Sequence, residues 1–196
     1  MNRISEIKRD TTETKIRLRL DLDGKGQFSG KTGIGFFNHM LELFTKQGLF
    51  DLKVEASGDL DVGEHHLVED VGIALGQAFG QALGDKKGIR RYGFFILPMD
   101  ECLALAAVDF SGRPEFVWNA EFKREKIGTL PTELLPHFFK SVSDNAAMNL
   151  HLKLFYGENE HHKAEALFKA LARAMRMACE KDERAKDAVA STKGVI

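Results

Sequence analysis

The sequence predicts an α+β fold made by internal duplication, with sheets on the outside of paired helices. Three observations carry that reading. Residues 65–78 (HHLVEDVGIALGQA) and 161–174 (HHKAEALFKALARA) share one pattern at an offset of 96, with His-His, Glu, Ala-Leu and Ala at matched places. Glu13, Asp21 and Gly24 recur as Glu101, Asp109 and Gly112 at an offset of 88. Each half also runs through strand-like and helix-like patterns in the same order. In a chain of 196 residues, two halves of this size make better use of their apolar residues in one shared core than in two separate ones. The expected division is a first half at 1–91, a second at 92–184 and a tail at 185–196. The slip in offset places a longer connection in the second half, around 114–132.

The elements follow in chain order. Residues 15–24 and 102–112 alternate apolar with polar and end in a turn, so both are expected strands. GKTGIG (30–35) lacks the full GxxxxGK[ST] pattern and is expected to be a tight strand-to-helix turn rather than a nucleotide loop. Residues 38–48 are helical with Gly48 as the stop, and the partner helix covers about 132–147. Residues 50–57 and 149–157 alternate again and are expected strands. After Gly/Asp/Asn-rich turns come longer helices at about 64–83 and 160–181. In the latter, Ala164, Leu167, Leu171, Ala174, Met175 and Ala178 form an apolar stripe at helical spacing.

Composition narrows the function classes. Twenty-eight basic against 29 acidic residues leave a net charge of −1, which argues against a nucleic-acid-binding protein. A run of about 18 apolar residues is missing, and the N-terminal stretch MNRISEIKRDTTETK is charged throughout, so neither a membrane span nor a signal peptide is expected. The expectation is a cytoplasmic protein. Cys102 and Cys179 sit in apolar contexts without CxxC spacing and are expected to be core thiols.

Histidine is the informative residue. Of seven, four form two His-His pairs. On a helix, i and i+4 share a face while i and i+1 diverge by about 100°. His65 and Glu69 can therefore meet at one ion while His66 serves another, and His161, His162 and Glu165 repeat the geometry. One further histidine precedes each pair, His39 in FFNHML and His137 in LPHFFK. Six imidazoles and two carboxylates divide evenly into three His and one Glu for each of two metals. Such a thiolate-free set suits Mn, Fe, Ni, Co or Zn. Four protein ligands on an octahedral ion leave open positions, as a catalytic metal needs. His151 falls outside the pattern and is expected to be an ordinary strand residue.

RDTTETK (9–15), KTGIGFFNHML (31–41), HHLVEDVGIALGQA (65–78), PMDECLALAAVDFSGRP (98–114), HFFKSVSDNA (137–146), HHKAEALFKALARA (161–174) and STKGVI (191–196) together closely resemble the imidazoleglycerol-phosphate dehydratase family. The resemblance implies four helices between two four-stranded mixed sheets. It implies two Mn(II) ions per subunit, with other divalent transition metals as alternatives, and a 24-subunit assembly with active sites between subunits. The implied metal ligands are His39, His65, His66, Glu69, His137, His161, His162 and Glu165. Glu13 matches the family's acid/base carboxylate and a substrate contact, and Arg91, Arg113, Lys169, Ser191 and Lys193 match the substrate-phosphate contacts. The tail would then order over bound substrate. Asn38, Gly63-Glu64 and Pro136 depart from the family pattern beside the implied ligands.

The implied reaction dehydrates imidazoleglycerol phosphate to imidazole-acetol phosphate in histidine biosynthesis. A metal-stabilised imidazolate expels the hydroxide, after which a carboxylate takes the proton of the neighbouring C–H. The alternatives are a binuclear metallohydrolase of a phosphorylated small molecule, which would release phosphate, and a metal-stapled assembly protein without turnover.

Overall fold

The computed structural model describes residues 3–186, 188–194 and 196. The first half runs β1 (Ile4–Asp10), β2 (Thr14–Asp21), β3 (Phe28–Lys31), α1 (Gly35–Gly48), β4 (Asp51–Gly58) and α2 (His65–Leu83). The second runs β5 (Tyr92–Met99), β6 (Cys102–Asp109), β7 (Glu115–Asn119), the short strands β8 (Lys126–Ile127) and β9 (Leu130–Pro131), α3 (Leu134–Ala146), β10 (Asn149–Tyr156) and α4 (Glu160–Cys179). The sheet orders are β1-β2-β4-β3 and β5-β6-β10-β7. In both sheets the last strand pairs in parallel and the others antiparallel, so the topology itself repeats. The expected long connection contains β7, the counterpart of β3, and then the β8–β9 hairpin.

Strict alternation explains the sheets. Ile16, Leu18 and Leu20 on β2 are buried, while Lys15, Arg17 and Arg19 face solvent. The sheets' inner faces meet the helices, and the helices pair across the halves, α1 on α4 and α2 on α3. That crossing merges both halves into one core. The expected Gly48 stop is the last residue of α1, but Leu49 takes the left-handed conformation, with φ 53°. Gly48 is needed for space instead, because a Cβ there would run into the Phe50 ring. Ala147 ends α3 with φ 48° in the same way.

The α2–α3 contact is close because α2 presents glycines. A Cβ on Gly72 would lie 2.9 Å from the Phe138 carbonyl oxygen, and one on Gly76 would lie 2.6 Å from that of Val142. Both obstacles are backbone and cannot swing aside. Gly76→Ala is therefore expected to destabilise the fold by about 1–3 kcal/mol, the usual cost of overpacking. Urea unfolding checks it, and an unchanged midpoint would refute the close approach.

The expected strand-to-helix turn within 30–35 is formed by residues 32–34, between β3 and α1, with Gly33 at φ 84°. Asn38 ties that turn to α1. Its Oδ1 accepts the Thr32 N–H at 2.9 Å and the Thr32 hydroxyl at 2.8 Å. Cys102 and Cys179 are buried and unpaired, and burial pushes the Cys102 thiol up to about 11, so neither is reactive. His151 is exposed on β10.

Candidate metal centre

Cross-half helix pairing brings distant histidines together. His39 on α1 meets His161 and Glu165 on α4. The two Nε2 atoms each lie 2.9 Å from Glu165 Oε1, and the donor atoms fall within 4.8 Å of one another. Ligands about 2.1 Å from a metal sit roughly 3.0–3.4 Å apart in octahedral or tetrahedral geometry, so these spacings fit a divalent ion. The all-nitrogen-and-oxygen donor set fits a transition metal as well. Burial pushes the Glu165 carboxyl up, but bonds from Lys169, His39 and His161 outweigh it and hold the group down at about 2. Glu165 is thus a carboxylate at neutral pH, the form a ligand requires.

On the other helix pair, His65 of α2 and His137 of α3 have ring centroids 5.0 Å apart. Glu69 lies one turn after His65, as Glu165 does after His161, but the three do not form a compact donor group among the described residues.

The second histidine of each pair turns away, as the 100° step requires. His66 Nδ1 is 2.9 Å from Asp59 Oδ2 and 3.8 Å from Glu13 Oε2. His162 Nδ1 is 2.8 Å from Glu101 Oε2. Each carboxylate bond raises its imidazole above the ordinary value. Glu101 is held well below the usual carboxylate range, by the His162 bond first and the Asn159 amide next.

Glu13 sits exposed in the β1–β2 turn, where Thr11 Oγ1 accepts the N–H groups of Glu13 (3.1 Å) and Thr14 (2.9 Å). Thr14 donates its hydroxyl to buried Asp70 on α2, and Arg9 forms an ion pair with the same carboxylate at 2.7 Å. This network ties the Glu13 turn to the helix bearing His65 and His66.

Arg91, Arg113, Ser191 and Lys193 line one cleft of about 500 Å³ together with Tyr92, Ser111 and Ile196. Arg91 donates through Nε (2.6 Å) and Nη2 (3.0 Å) to Asp109, and through Nη1 (2.5 Å) to the Ala190 carbonyl. Gly88, at φ 66°, lets the tail lie against it, with the Gly88 N–H donating to the Ala188 carbonyl at 2.9 Å. Lys169 is not in the cleft. Its Nζ donates to Glu165 Oε2 at 2.6 Å, beside the His39–His161 group.

Sequence reasoning passed over several residues that shape the site. Asp59, Asp70 and Arg9 look like ordinary surface charges in the chain. Glu160 and Lys163 look like a solvated i,i+3 pair, yet both are only 4% exposed and bond at 2.8 Å. Lys123 N–H donates to Glu160 at 3.2 Å and Lys163 to the Glu121 carbonyl at 3.3 Å, which fastens the 120–132 excursion to the first turn of α4. Asn159 caps that turn, accepting the His161 N–H at 2.9 Å. The repeat made Glu101 visible as the counterpart of Glu13, but not its bond to His162.

Comparison with known proteins gives a consistent picture. A family model described as imidazoleglycerol-phosphate dehydratase matches residues 32–175. The chain is 55% identical to the imidazoleglycerol-phosphate dehydratase of Koribacter versatilis, over 99% of this chain and 100% of that one. It is also 55% identical to the histidine biosynthesis bifunctional protein HisB of Spirosoma linguale, over 99% of this chain; there it spans half of the longer protein. The crystal structure of imidazoleglycerol-phosphate dehydratase from Staphylococcus aureus superposes with a TM-score of 0.83 at 41% identity, covering 91% of this chain and 99% of that one.

Proposed function

The chain belongs to the imidazoleglycerol-phosphate dehydratase family, and from that premise we propose a metal-dependent carbon–oxygen lyase of histidine biosynthesis that converts imidazoleglycerol phosphate to imidazole-acetol phosphate. The observation that carries the metal part is the convergence of His39 and His161 on Glu165 at 2.9 Å from opposite halves of the chain. Two Mn(II) ions per subunit are proposed, held by His39, His161 and Glu165 and by His65, His137 and Glu69, with His66 and His162 as further ligands. Bound there, such ions supply Lewis acidity toward the imidazole ring of the substrate.

The remaining steps belong to the chain's own groups. Glu13 takes the proton from the carbon beside the departing hydroxyl, as an exposed carboxylate held by its backbone can. Arg91, Arg113, Ser191 and Lys193 bind the phosphate; their common cleft supports that role. Asp109 fixes the plane of the Arg91 guanidinium, and Ala190 couples it to the tail at 185–196. Lys169 reaches the substrate from the metal side, where its bond to Glu165 positions it.

Self-association is part of the proposal, as a 24-subunit assembly with active sites between subunits. The outer face of the second sheet supports it, since Tyr92, Phe94, Ile96, Val117 and Phe155 are exposed there, with Phe94 at 64%. The first sheet's outer face is charged, with Lys8, Arg17, Arg19, Lys53 and Glu55. The half-repeats 1–91 and 92–184 are proposed to share a single compact domain. No described helix is long and apolar enough to cross a membrane, and a cytoplasmic location is proposed.

The test is to incubate manganese-loaded protein with imidazoleglycerol phosphate and follow the ketone by its ultraviolet absorption, with light scattering on the same sample. Ketone with phosphate retained is expected, lost on chelation and restored by Mn(II). Free phosphate would instead favour the hydrolase, and turnover unaffected by metal stripping would sink the metal role.

A further inference from the structure

We propose that Asp59 and Glu101 are positioning residues that commit His66 and His162 to ligation through Nε2. The assignment rests on the metal-dependent reading above. A carboxylate only accepts hydrogen bonds. With Asp59 Oδ2 at 2.9 Å from His66 Nδ1, and Glu101 Oε2 at 2.8 Å from His162 Nδ1, both Nδ1 atoms carry the proton. In each neutral ring the lone pair is then on Nε2. The first histidine of the second pair behaves differently, because His161 directs Nε2 at Glu165 and, among the described residues, has no carboxylate on its other nitrogen. The partner of His162 Nε2 nearest to hand is Asp100 Oδ2, at 3.6 Å beyond hydrogen-bond distance.

The two carboxylates arise from non-equivalent places, which is what makes the arrangement informative. Glu101 lies in the β5–β6 turn, and its repeat counterpart is Glu13 in the β1–β2 turn. Duplication thus supplied one carboxylate to each strand turn. In the second half it is consumed: Glu101 holds His162 and accepts the amides of Asn159 (2.7 Å) and Glu158 (3.3 Å) and the Cys102 thiol (3.3 Å). In the first half a different residue has taken the histidine. Asp59, in the loop after β4, makes the bond, and Glu13 is left 3.8 Å from His66 Nδ1. Asp59 Oδ2 bonds only His66, and Oδ1 is buried without a hydrogen-bond partner among the described residues. The side chain is therefore held for that single bond. By relieving Glu13 of the histidine, it leaves one of two duplicated carboxylates free to move a proton.

Asp59 is the cleaner probe, because Glu101 also anchors backbone. The experiment strips the full-length protein of metal and titrates Mn(II) against a fluorescent chelator, comparing wild type with Asp59→Ala and Asp59→Asn. Metal affinity of Asp59→Ala is expected to fall about 10–100-fold, the usual effect of losing a group that orients a ligating histidine. Asp59→Asn is expected to recover it, because the amide oxygen still accepts the Nδ1 proton. The thermal midpoint of the metal-free protein is expected to be the same in all three. Unchanged affinity in Asp59→Ala overturns the proposal. So does a loss that Asn fails to rescue, or one that tracks a lowered metal-free midpoint, since either would mark a merely structural role. Wild-type protein that takes up no Mn(II) overturns the metal reading itself, and this assignment with it.

Discussion

Glu13→Gln is expected to lower kcat by about 10²–10⁴-fold, the range for loss of a general acid/base, while metal content and assembly stay at wild-type levels. The substitution keeps size and shape but removes the basic lone pair. The turn that carries Glu13 is set by Thr11 Oγ1 accepting two backbone N–H groups and by Thr14 bonding Asp70, so it is indifferent to the Glu13 side chain. KM is expected to change little, because the proposed phosphate cleft of Arg91, Arg113, Ser191 and Lys193 does not include Glu13. Steady-state kinetics on metal-loaded variant and wild type provide the check, and near-normal kcat would remove Glu13 from the proton-transfer role. A raised KM with unchanged kcat would make it a binding group instead.

The second large effect concerns stability. Lys163→Met leaves the Glu160 carboxylate buried with one amide bond from Lys123 and no counter-charge. Breaking a buried pair from one side costs about 3–5 kcal/mol, because the stranded charge loses both its partner and its hydration. The double variant Glu160→Gln, Lys163→Met is expected to recover most of that loss, since no uncompensated charge remains. Urea unfolding of the three proteins tests this, with equal loss in single and double variants as the refuting result. The substitution also removes one of the two bonds that fasten the 120–132 excursion to the turn that holds His161 and His162, so metal affinity is expected to fall together with stability in the single variant.

Much of the fold was legible because its signals are local. Alternation in 15–24 and 149–157 and the stripe from Ala164 to Ala178 follow from backbone periodicities of two and 3.6 residues. The repeat showed that the units come twice. Short β3 and β7 and the β8–β9 hairpin were not individually legible, since strands of two to five residues have too few positions to show a period. Of the candidate site, the proposed ligands were visible through spacing, and the turning away of His162 from the Glu165 face follows from the helix step. The proposed phosphate contacts and the proposed role of Glu13 came through family resemblance, because isolated basic residues and a lone carboxylate carry no pattern of their own.

By itself the sequence determined the duplicated α+β architecture, the identity of the six patterned histidines and the divergence of each His-His pair. Those are consequences of helix and strand geometry acting over a few residues. The tertiary structure decided who meets whom. His39 joins His161 and Glu165 because α1 packs on α4, while glycines on α2 bring α3, and with it His137, beside His65. It also decided which acids serve which histidines, placing Asp59 on His66 and Glu101 on His162. Residues as far as 126 positions apart, as His39 and Glu165 are, are joined by burial of the helices' apolar faces, a collective property of the packed chain that no local spacing encodes.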